Sequence, residues 1–210
     1  LADKKFFSLT AAGRKAIKLA SDTFSIADAK EIKITESITN HDVKAVEYFV
    51  KNKLEAAKCG KLKEWVHFGL TSQDINNTAI PLSWKHAVEF EYLPSLLNLN
   101  RQLELLANNW KNIPLLARTH GQPASPTILG KEIMVFVERL QGQVSLLGQI
   151  PFAAKFGGAT GNFNAHYVAF PKVNWEKFAE KFVNTTLGLQ RMKYTTQIEH
   201  YDNIAAQFDT

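Results

Sequence analysis

A long helical pattern over residues 74–110 constrains the fold more than any other feature of the sequence. Its leucines recur at spacings that place them on one side of a helix: Leu82, Leu93, Leu96, Leu103 and Leu106. At 1.5 Å per residue such a helix would be roughly 55 Å long. Pro81 lies in its early turns and Pro94 in its interior, so we expect at least one kink. A helix of this length is typical of an elongated bundle rather than of one small core.

A second long helix is predicted where Ser125-Pro126 supplies a cap followed by a proline at the first helical position. Apolar residues recur there at spacings of three and four: Leu129, Ile133, Phe136, Leu140, Val144 and Leu147. Together the two segments predict an all-α fold. We expect a small N-terminal helical domain over residues 1–60, incomplete at its start. The first, truncated part of a central helical bundle would follow over residues 61–210.

Shorter helices are marked by local signals. Ser25 and Asp28 have the spacing of a capping box, in which each side chain accepts from the other residue's backbone N–H. Asn40 or Asp42 can cap the next helix. The glycine-rich run 157–162 could direct backbone N–H groups towards an anion, but it lacks the Gly-Lys-Ser/Thr of a phosphate loop. We therefore expect a tight loop between helices there.

Composition excludes several classes of protein. The single cysteine, Cys59, rules out an internal disulfide framework and makes a cysteine-based zinc site improbable. No apolar run approaches the roughly 18 residues of a membrane helix, so we expect a cytoplasmic protein without a membrane partner. The net charge of +5 is spread along the chain, which suits an anionic small molecule. No nucleic-acid-binding pattern is present.

Polar side chains crowd together at the predicted start of the long helix, in residues 66–77. Among them are His67, Thr71 and Ser72. Thr71 or Ser72 can cap the helix, and a helix N-terminus also favours a phosphate or a carboxylate. A well-capped helix needs only one such oxygen, so the excess of polar groups favours a binding site. Both interpretations remain open from this segment alone.

Further polar clusters occur at other helix ends and loops, where functional residues are over-represented. They are residues 40–42, residues 118–123 around His120, and residues 195–200 around Gln197. Histidines at such breaks suit proton transfer near neutral pH. The sequence has no pair of histidines at metal-ligand spacing, so we expect no metal site.

These segments resemble the adenylosuccinate lyase family of the fumarase/aspartase superfamily. Thr-His-Gly-Gln at 119–122 marks the superfamily, while the runs at 39–48 and 67–77 are more particular and are similar to the bacterial branch. The likeness continues through residues 161–166 and 194–199. It implies a lyase of purine nucleotide biosynthesis that releases fumarate from adenylosuccinate, and from the succinylated carboxamide ribotide, by anti β-elimination. It also implies a homotetramer with active sites shared between subunits, an anionic nucleotide substrate and no cofactor.

The resemblance assigns roles to individual residues. His120 matches the histidine that protonates the leaving nitrogen, and Thr71 and Ser72 match the pair that binds the succinyl carboxylate. The remaining matches concern other parts of the substrate: Asn40, His41 and Asp42 for the nucleotide, His67 near the phosphate or beside His120, and Gln197 as a further contact.

Two family features are absent from residues 1–210. The Ser-Ser-x-Met-Pro-x-Lys-x-Asn-Pro loop that supplies the serine base does not occur, nor does an N-terminal Arg-Tyr pair. We therefore expect this polypeptide alone to be catalytically incomplete. The alternatives are another superfamily lyase, acting on argininosuccinate or aspartate, or a non-enzymatic helical scaffold.

Overall fold

The computed structural model describes residues 7, 8 and 10–210. The chain divides into two compact units. The first comprises Leu1–Asn77, Lys155–Ala179 and Lys193–Ile198, and the second comprises Thr78–Ala154, Glu180–Met192 and Glu199–Thr210. This division follows contacts rather than sequence order, and the domain boundary proposed at residue 60 stays a prediction.

Part of the first unit is a group of three helices in which two pack against the third. Helices α1 (Ala11–Asp22) and α2 (Ile26–Thr39) both contact α3 (Asp42–Ala56). A 3₁₀-helix over Gly60–Trp65 and the first turns of α4 (Ser72–Ala87) follow. The core residues of α3 are almost fully buried: Val43, Ala45, Phe49 and Leu54. Burial of this apolar stripe holds the three helices together.

The capping prediction for α2 is confirmed, whereas the prediction for α3 is wrong. Ser25 and Asp28 form the reciprocal capping box at the start of α2. The N-cap of α3 is His41, whose side chain accepts from the backbone N–H of Lys44, and not Asn40 or Asp42. Asn40 instead ends α2 in the left-handed conformation, with φ 51°. Its short polar side chain tolerates that backbone better than most residues do.

A second cluster in the first unit is aromatic. Helices α7 (Asn164–Ala169) and α8 (Trp175–Glu180) bring His166 and Trp175 together with ring centroids 4.7 Å apart. Phe163 stands edge-on to His166 at 5.5 Å, and Phe68 does so at 5.8 Å. This cluster lies against the turn that leads into α4, because a Cβ on Gly69 would lie 2.7 Å from His166 Nε2.

The long helix of the second unit confirms the strongest sequence pattern. Helix α4 continues into a π-helical turn, Val88–Tyr92, and then into α5 (Leu93–Asn109). The wider turn ends two residues before Pro94, which has no N–H to donate. Pro81 is accommodated inside α4. Helix α6 (Leu129–Leu147) packs along α5, as the seam of apolar residues predicts.

The prediction that Ser125-Pro126 starts a helix is wrong. Residues Gln122–Ile128 form strand β2, which pairs antiparallel with β1 (Pro114–Thr119), and Pro126 lies opposite Leu116. The connecting residues, His120 and Gly121, both have positive φ values, 49° and 77°. Such a two-residue turn matches the twist of a hairpin. The helical seam therefore begins only at Leu129.

Short elements complete the second unit. Strand β3 (Ala153–Ala154) pairs in parallel with β4 (Gln190–Arg191), and a π-helical turn covers Lys181–Thr186. Helix α9 (Asp202–Asp209) is fixed by Gln207, which accepts from the Trp84 indole at 2.7 Å and donates to the Ile150 carbonyl at 3.1 Å. The all-α class is confirmed, because the strands are only small pieces of a mainly helical chain. In the described part of the chain, no helix is long and apolar enough to cross a membrane.

The close approach of α5 and α6 gives a test of the second unit. A Cβ at Gly130 would lie 2.2 Å from the Ala107 carbonyl oxygen. We expect Gly130→Ala to lower the free energy of unfolding by about 1–3 kcal/mol, measured by urea denaturation. Gly142→Ala is the matched control in the same helix, since nothing lies within 4 Å of its added methyl. Alanine should stabilise that position by up to about 1 kcal/mol, and equal losses in both variants would contradict the close packing.

Candidate functional site

The start of α4 is the centre of the candidate site. Gly69 adopts a positive φ of 68°, which lets the chain turn before Thr71. Asp74 lies in the first turn of α4, and its Oδ2 accepts the backbone N–H of Thr71 at 2.8 Å. The turn that carries Thr71 and Ser72 is therefore held by a residue of the helix it begins.

His41 joins the start of α3 to the start of α4. Its Nε2 lies 3.2 Å from the Ser72 hydroxyl, while its Nδ1 accepts the backbone N–H of Lys44 at 3.3 Å. Because Nδ1 is an acceptor, the neutral ring carries its proton on Nε2 and donates it to Ser72. The same imidazole thus caps one helix and orients the hydroxyl that opens another.

Asp42 and Asn76 form a second contact between the starts of α3 and α4. Asn76 donates to Asp42 Oδ2 at 3.2 Å, and Asp42 Oδ1 accepts the Val43 N–H at 2.7 Å. The Val43 N–H, followed by the Asn76 amide, lowers the pKa of Asp42 below its ordinary value. Asp42 is therefore ionised at neutral pH and can only accept hydrogen bonds.

Gln197 reaches the site from a distant part of the sequence. Its amide donates to the Thr71 hydroxyl at 3.3 Å. The first unit thereby brings together five of the predicted site residues from three separate segments: His41, Asp42, Thr71, Ser72 and Gln197. Asn40 lies at the edge of an open polar cleft beside them, which Lys33, Glu36 and Ser37 also line.

His67 occupies a different environment within the first unit. Its Nδ1 lies 3.1 Å from Glu47 Oε2, and Glu47 also contacts the ammonium groups of Lys44 and Lys51. Burial alone would raise the pKa of Glu47, but the hydrogen bonds from Lys51 and Lys44 outweigh it and lower that pKa. His67 and Glu47 are polar members of the wall of a largely apolar cavity of about 340 Å³.

His120 belongs to the second unit. It occupies the first position of the turn between β1 and β2, and its side chain is exposed. The positive φ of 49° fixes its backbone in a conformation that few side chains adopt. The backbone of the turn thus holds the His120 side chain at the tip of the hairpin.

The residues that sequence reasoning missed are those behind the α4 turn. Asp74 Oδ1 accepts the Lys155 ammonium at 2.7 Å and the Gly157 N–H at 2.9 Å, and Gly158 N donates to the same carboxylate at 3.1 Å. Asp74 and Lys155 are both 0% exposed. The glycine run does direct N–H groups at an anion, but that anion is the carboxylate of Asp74. In the sequence, the adjacent Gly157 and Gly158 were the one signal that backbone N–H groups could face an anion here.

His166 supports the turn from beneath. A Cβ on Gly69 would lie 2.7 Å from His166 Nε2, so glycine is required for this approach. Burial lowers the pKa of His166, with the Asp74 charge opposing that effect and the Lys155 charge adding to it. The ring is therefore neutral when the protein is folded at neutral pH. Over the part of the chain that the structure describes, no three potential metal ligands gather into a group.

Comparison with known proteins identifies relatives. A family model described as Lyase matches residues 5–210. Adenylosuccinate lyase of Dictyostelium discoideum is 54% identical over 191 residues, which are 89% of this chain and 41% of that protein. Adenylosuccinate lyase of Escherichia coli (strain K12) is 47% identical over 188 residues, again 89% of this chain and 41% of the relative. The chain thus spans about two fifths of the length of these curated relatives.

Solved structures share the fold. A fumarate lyase from Mesorhizobium sp. BNC1 superposes with a TM-score of 0.79 at 19% identity, covering 99% of this chain and 46% of that one. A 3-carboxy-cis,cis-muconate lactonizing enzyme from Pseudomonas putida superposes with a TM-score of 0.68 at 21% identity, covering 92% of this chain and 42% of that one. At these identities the likeness concerns the fold alone.

Burial of His166 predicts a pH dependence of stability. The unfolded chain binds a proton at this residue below about pH 6.5, whereas the folded chain resists it, because burial depresses the pKa. The contribution of the neutral His166 to the free energy of unfolding is therefore complete above pH 6.5. It is lost as the pH falls through the lower pKa of the folded state. We expect the urea midpoint to fall between pH 7.5 and 5.5, and to fall less in His166→Leu.

The control is His200→Leu, at an exposed position. It should retain the pH dependence of the unmodified chain. An identical pH dependence in His166→Leu would show that the buried imidazole does not cause it.

Proposed function

This chain belongs to the lyase family whose model matches residues 5–210, and we propose that it is part of an adenylosuccinate lyase. The enzyme would release fumarate from adenylosuccinate to give AMP, and from the succinylated carboxamide ribotide of purine biosynthesis. The curated relatives, which are 54% and 47% identical to the chain, carry that name. The observation that carries the proposal is the meeting of His41, Ser72, Thr71 and Gln197 at the start of α4.

This arrangement suits the succinyl carboxylate. A helix N-terminus carries partial positive charge and directs N–H groups outwards, so it favours an anion. The hydroxyls of Thr71 and Ser72 add donors at the same place, and His41 and Gln197 orient them at 3.2 and 3.3 Å. We assign Thr71 and Ser72 to the carboxylate and Gln197 to a supporting substrate contact.

The nucleotide would lie towards the start of α3. The Asn40 side-chain amide can donate hydrogen bonds to phosphate oxygens, and both Asn40 and His41 are exposed beside the polar cleft. Asp42 is ionised and would repel a phosphate, so it suits a sugar hydroxyl or an amine. His67, held against Glu47, is assigned to the phosphate side of the substrate or to orienting His120.

The reaction breaks a C–H bond and a C–N bond and forms a C=C bond. A base removes the proton beside the succinyl carboxylate, and the electron pair delocalises into that carboxylate, where Thr71 and Ser72 stabilise the added charge. The C–N electrons then leave with nitrogen, which takes a proton from His120. The resemblance assigns the base to a serine in a motif that residues 1–210 do not contain. The substrate's own carboxylate holds the charge, so we infer that no cofactor participates.

Association through the long helices is part of the proposal. Large apolar side chains of α5 and α6 remain about half exposed: Leu97 53%, Leu99 49%, Leu105 50%, Phe136 56% and Leu146 50%. Exposed apolar surface of this extent is typical of an interface. We propose a homotetramer in the cytoplasm, as the family resemblance implies.

The alternatives receive less support. An argininosuccinate lyase or an aspartase would share the superfamily motifs, but the relatives reported above are adenylosuccinate lyases. A non-enzymatic scaffold would not require the hydrogen-bonded convergence of three segments around Ser72.

A chimera tests the function directly. This chain would replace the segment that it matches in the Escherichia coli relative, and fumarate release from adenylosuccinate would be followed by ultraviolet absorbance. We expect an active chimera, and His120→Asn should lower its kcat/KM by about 10²–10⁴-fold, the usual contribution of general acid catalysis. Asparagine tolerates the positive φ of the turn, so the fold should survive.

His86→Asn is the matched control, since His86 is also exposed in the second unit. It should leave kcat/KM within about twofold of the parent. A folded chimera without activity towards adenylosuccinate would refute the proposed substrate. A His120→Asn variant that kept more than about a third of the rate would remove His120 from the acid role.

Association can be measured on the 210-residue chain itself by light scattering. We expect an oligomer, and Leu99→Glu with Phe136→Glu should reduce its mass, because charges at a buried apolar contact are unfavourable. Ile34→Glu is the control, since Ile34 is 65% exposed but belongs to α2 in the first unit. A monomer for the unmodified chain would contradict the assembly through these helices.

A further inference from the structure

A buried ion pair lies directly behind the proposed carboxylate-binding turn. The Lys155 ammonium is 2.7 Å from Asp74 Oδ1, and both side chains are 0% exposed. Neither residue has a role in the reaction described above. Taking two charges out of water costs free energy, so an apolar pair of similar volume could often serve stability as well.

The Asp74 carboxylate connects two backbone segments. Its Oδ2 accepts the N–H of Thr71 at 2.8 Å, and its Oδ1 accepts the N–H of Gly157 at 2.9 Å. Gly158 N donates to both oxygens at 3.1 Å. One side chain therefore fixes the position of the turn before α4 against the loop that follows Lys155.

Lys155 closes this arrangement on the other side. Besides Asp74, its ammonium donates to the Gly158 carbonyl at 2.6 Å, and its backbone N–H donates to the Asn77 carbonyl at 3.2 Å. Lys155 is thus bonded to the loop and to α4 through both its main chain and its side chain. A change at this position would loosen the Thr71–Ser72 turn without touching a ligand bound to it.

The pair also has an electrostatic consequence. Asp74 places a negative charge in the first turn of the helix whose N-terminus is proposed to hold a carboxylate. The negative charges of Asp74 and of a bound carboxylate would repel each other strongly if water were excluded from between them. The buried ammonium of Lys155 cancels the charge of Asp74, so the partial positive charge of the helix start remains available to the substrate.

We propose that Lys155 is a positioning residue for substrate binding: it neutralises Asp74 and holds it where Asp74 fixes Thr71 and Ser72. This inference rests on the proposed function, since it concerns the same carboxylate site. It predicts that removal of the Lys155 ammonium weakens substrate binding. Removal of the Asp74 charge as well should restore part of that binding.

The experiment uses the active chimera described above. Lys155→Met removes the charge while retaining an unbranched apolar chain, and we expect kcat/KM for adenylosuccinate to fall by about 10²-fold, mainly through KM, because small misplacements at a reacting site have effects of that size. The double variant Asp74→Asn/Lys155→Met restores neutrality. Its kcat/KM should be at least about tenfold higher than that of Lys155→Met, since a neutral amide no longer repels the substrate carboxylate.

Leu54→Ala is the control for destabilisation alone. Leu54 is 2% exposed in the core of the first unit, and its truncation leaves a cavity far along α3 from His41. It should lower the melting temperature and leave KM unchanged at 20 °C. A Lys155→Met chimera whose KM stays within about twofold of the parent would overturn the inference, as would a double variant no better than the single one.

Failure of the proposed function would be recognised separately, because the unmodified chimera would then be folded but inactive. The positioning role is still tested in that case on the 210-residue chain by amide NMR with succinate as the probe. We expect the Thr71 and Ser72 amide signals to move on addition of succinate in the unmodified chain and not in Lys155→Met. Equal responses in the two chains would overturn the inference.

Discussion

The buried contact between Asp74 and Lys155 is the interaction on which the candidate site at the start of α4 depends. It joins the start of α4 to the glycine loop through three backbone N–H groups and one ammonium. Without the ammonium the carboxylate would be an uncompensated buried charge, and breaking such a pair typically costs about 3–5 kcal/mol. The turn that carries Thr71 and Ser72 therefore owes its position to a side chain that faces away from solvent. This explains how a turn between helices can be rigid enough to orient two hydroxyls.

His41 has a comparable double role on the exposed side of the same turn. Its Nδ1 satisfies the Lys44 N–H at the start of α3, and its Nε2 contacts the Ser72 hydroxyl. A serine or aspartate cap would satisfy the helix equally well but would leave no group to reach Ser72. Because Nδ1 accepts that N–H, a neutral ring carries its proton on Nε2. The capping requirement of one helix thus selects the tautomer that donates to the other.

Helices and caps that depend on neighbouring residues could be predicted from the sequence. The leucine spacing gave the long helix, and the Ser25–Asp28 spacing gave the capping box. Ser125-Pro126 misled, because a serine followed by proline suits a strand facing Leu116 as well as a helix start. His41 was not expected as a cap, since an imidazole seldom takes that position. The family resemblance assigned His41, Ser72 and Gln197 to substrate binding but predicted no contact between them. The Asp74–Lys155 contact, which spans 81 residues of sequence, was not predicted.

The glycine run was expected to be only a tight loop between helices, yet its backbone binds an anion. Gly157 and Gly158 do direct N–H groups at an anion, and that anion is part of the protein. The start of α4 is consequently arranged around two carboxylates, the buried one of Asp74 and, in the proposed function, the succinyl group at Thr71 and Ser72. Two carboxylates at one helix start repel each other unless a cation compensates one of them. Lys155 supplies that cation from the buried side, so the exposed side can remain uncharged and select its ligand through hydroxyl and amide donors.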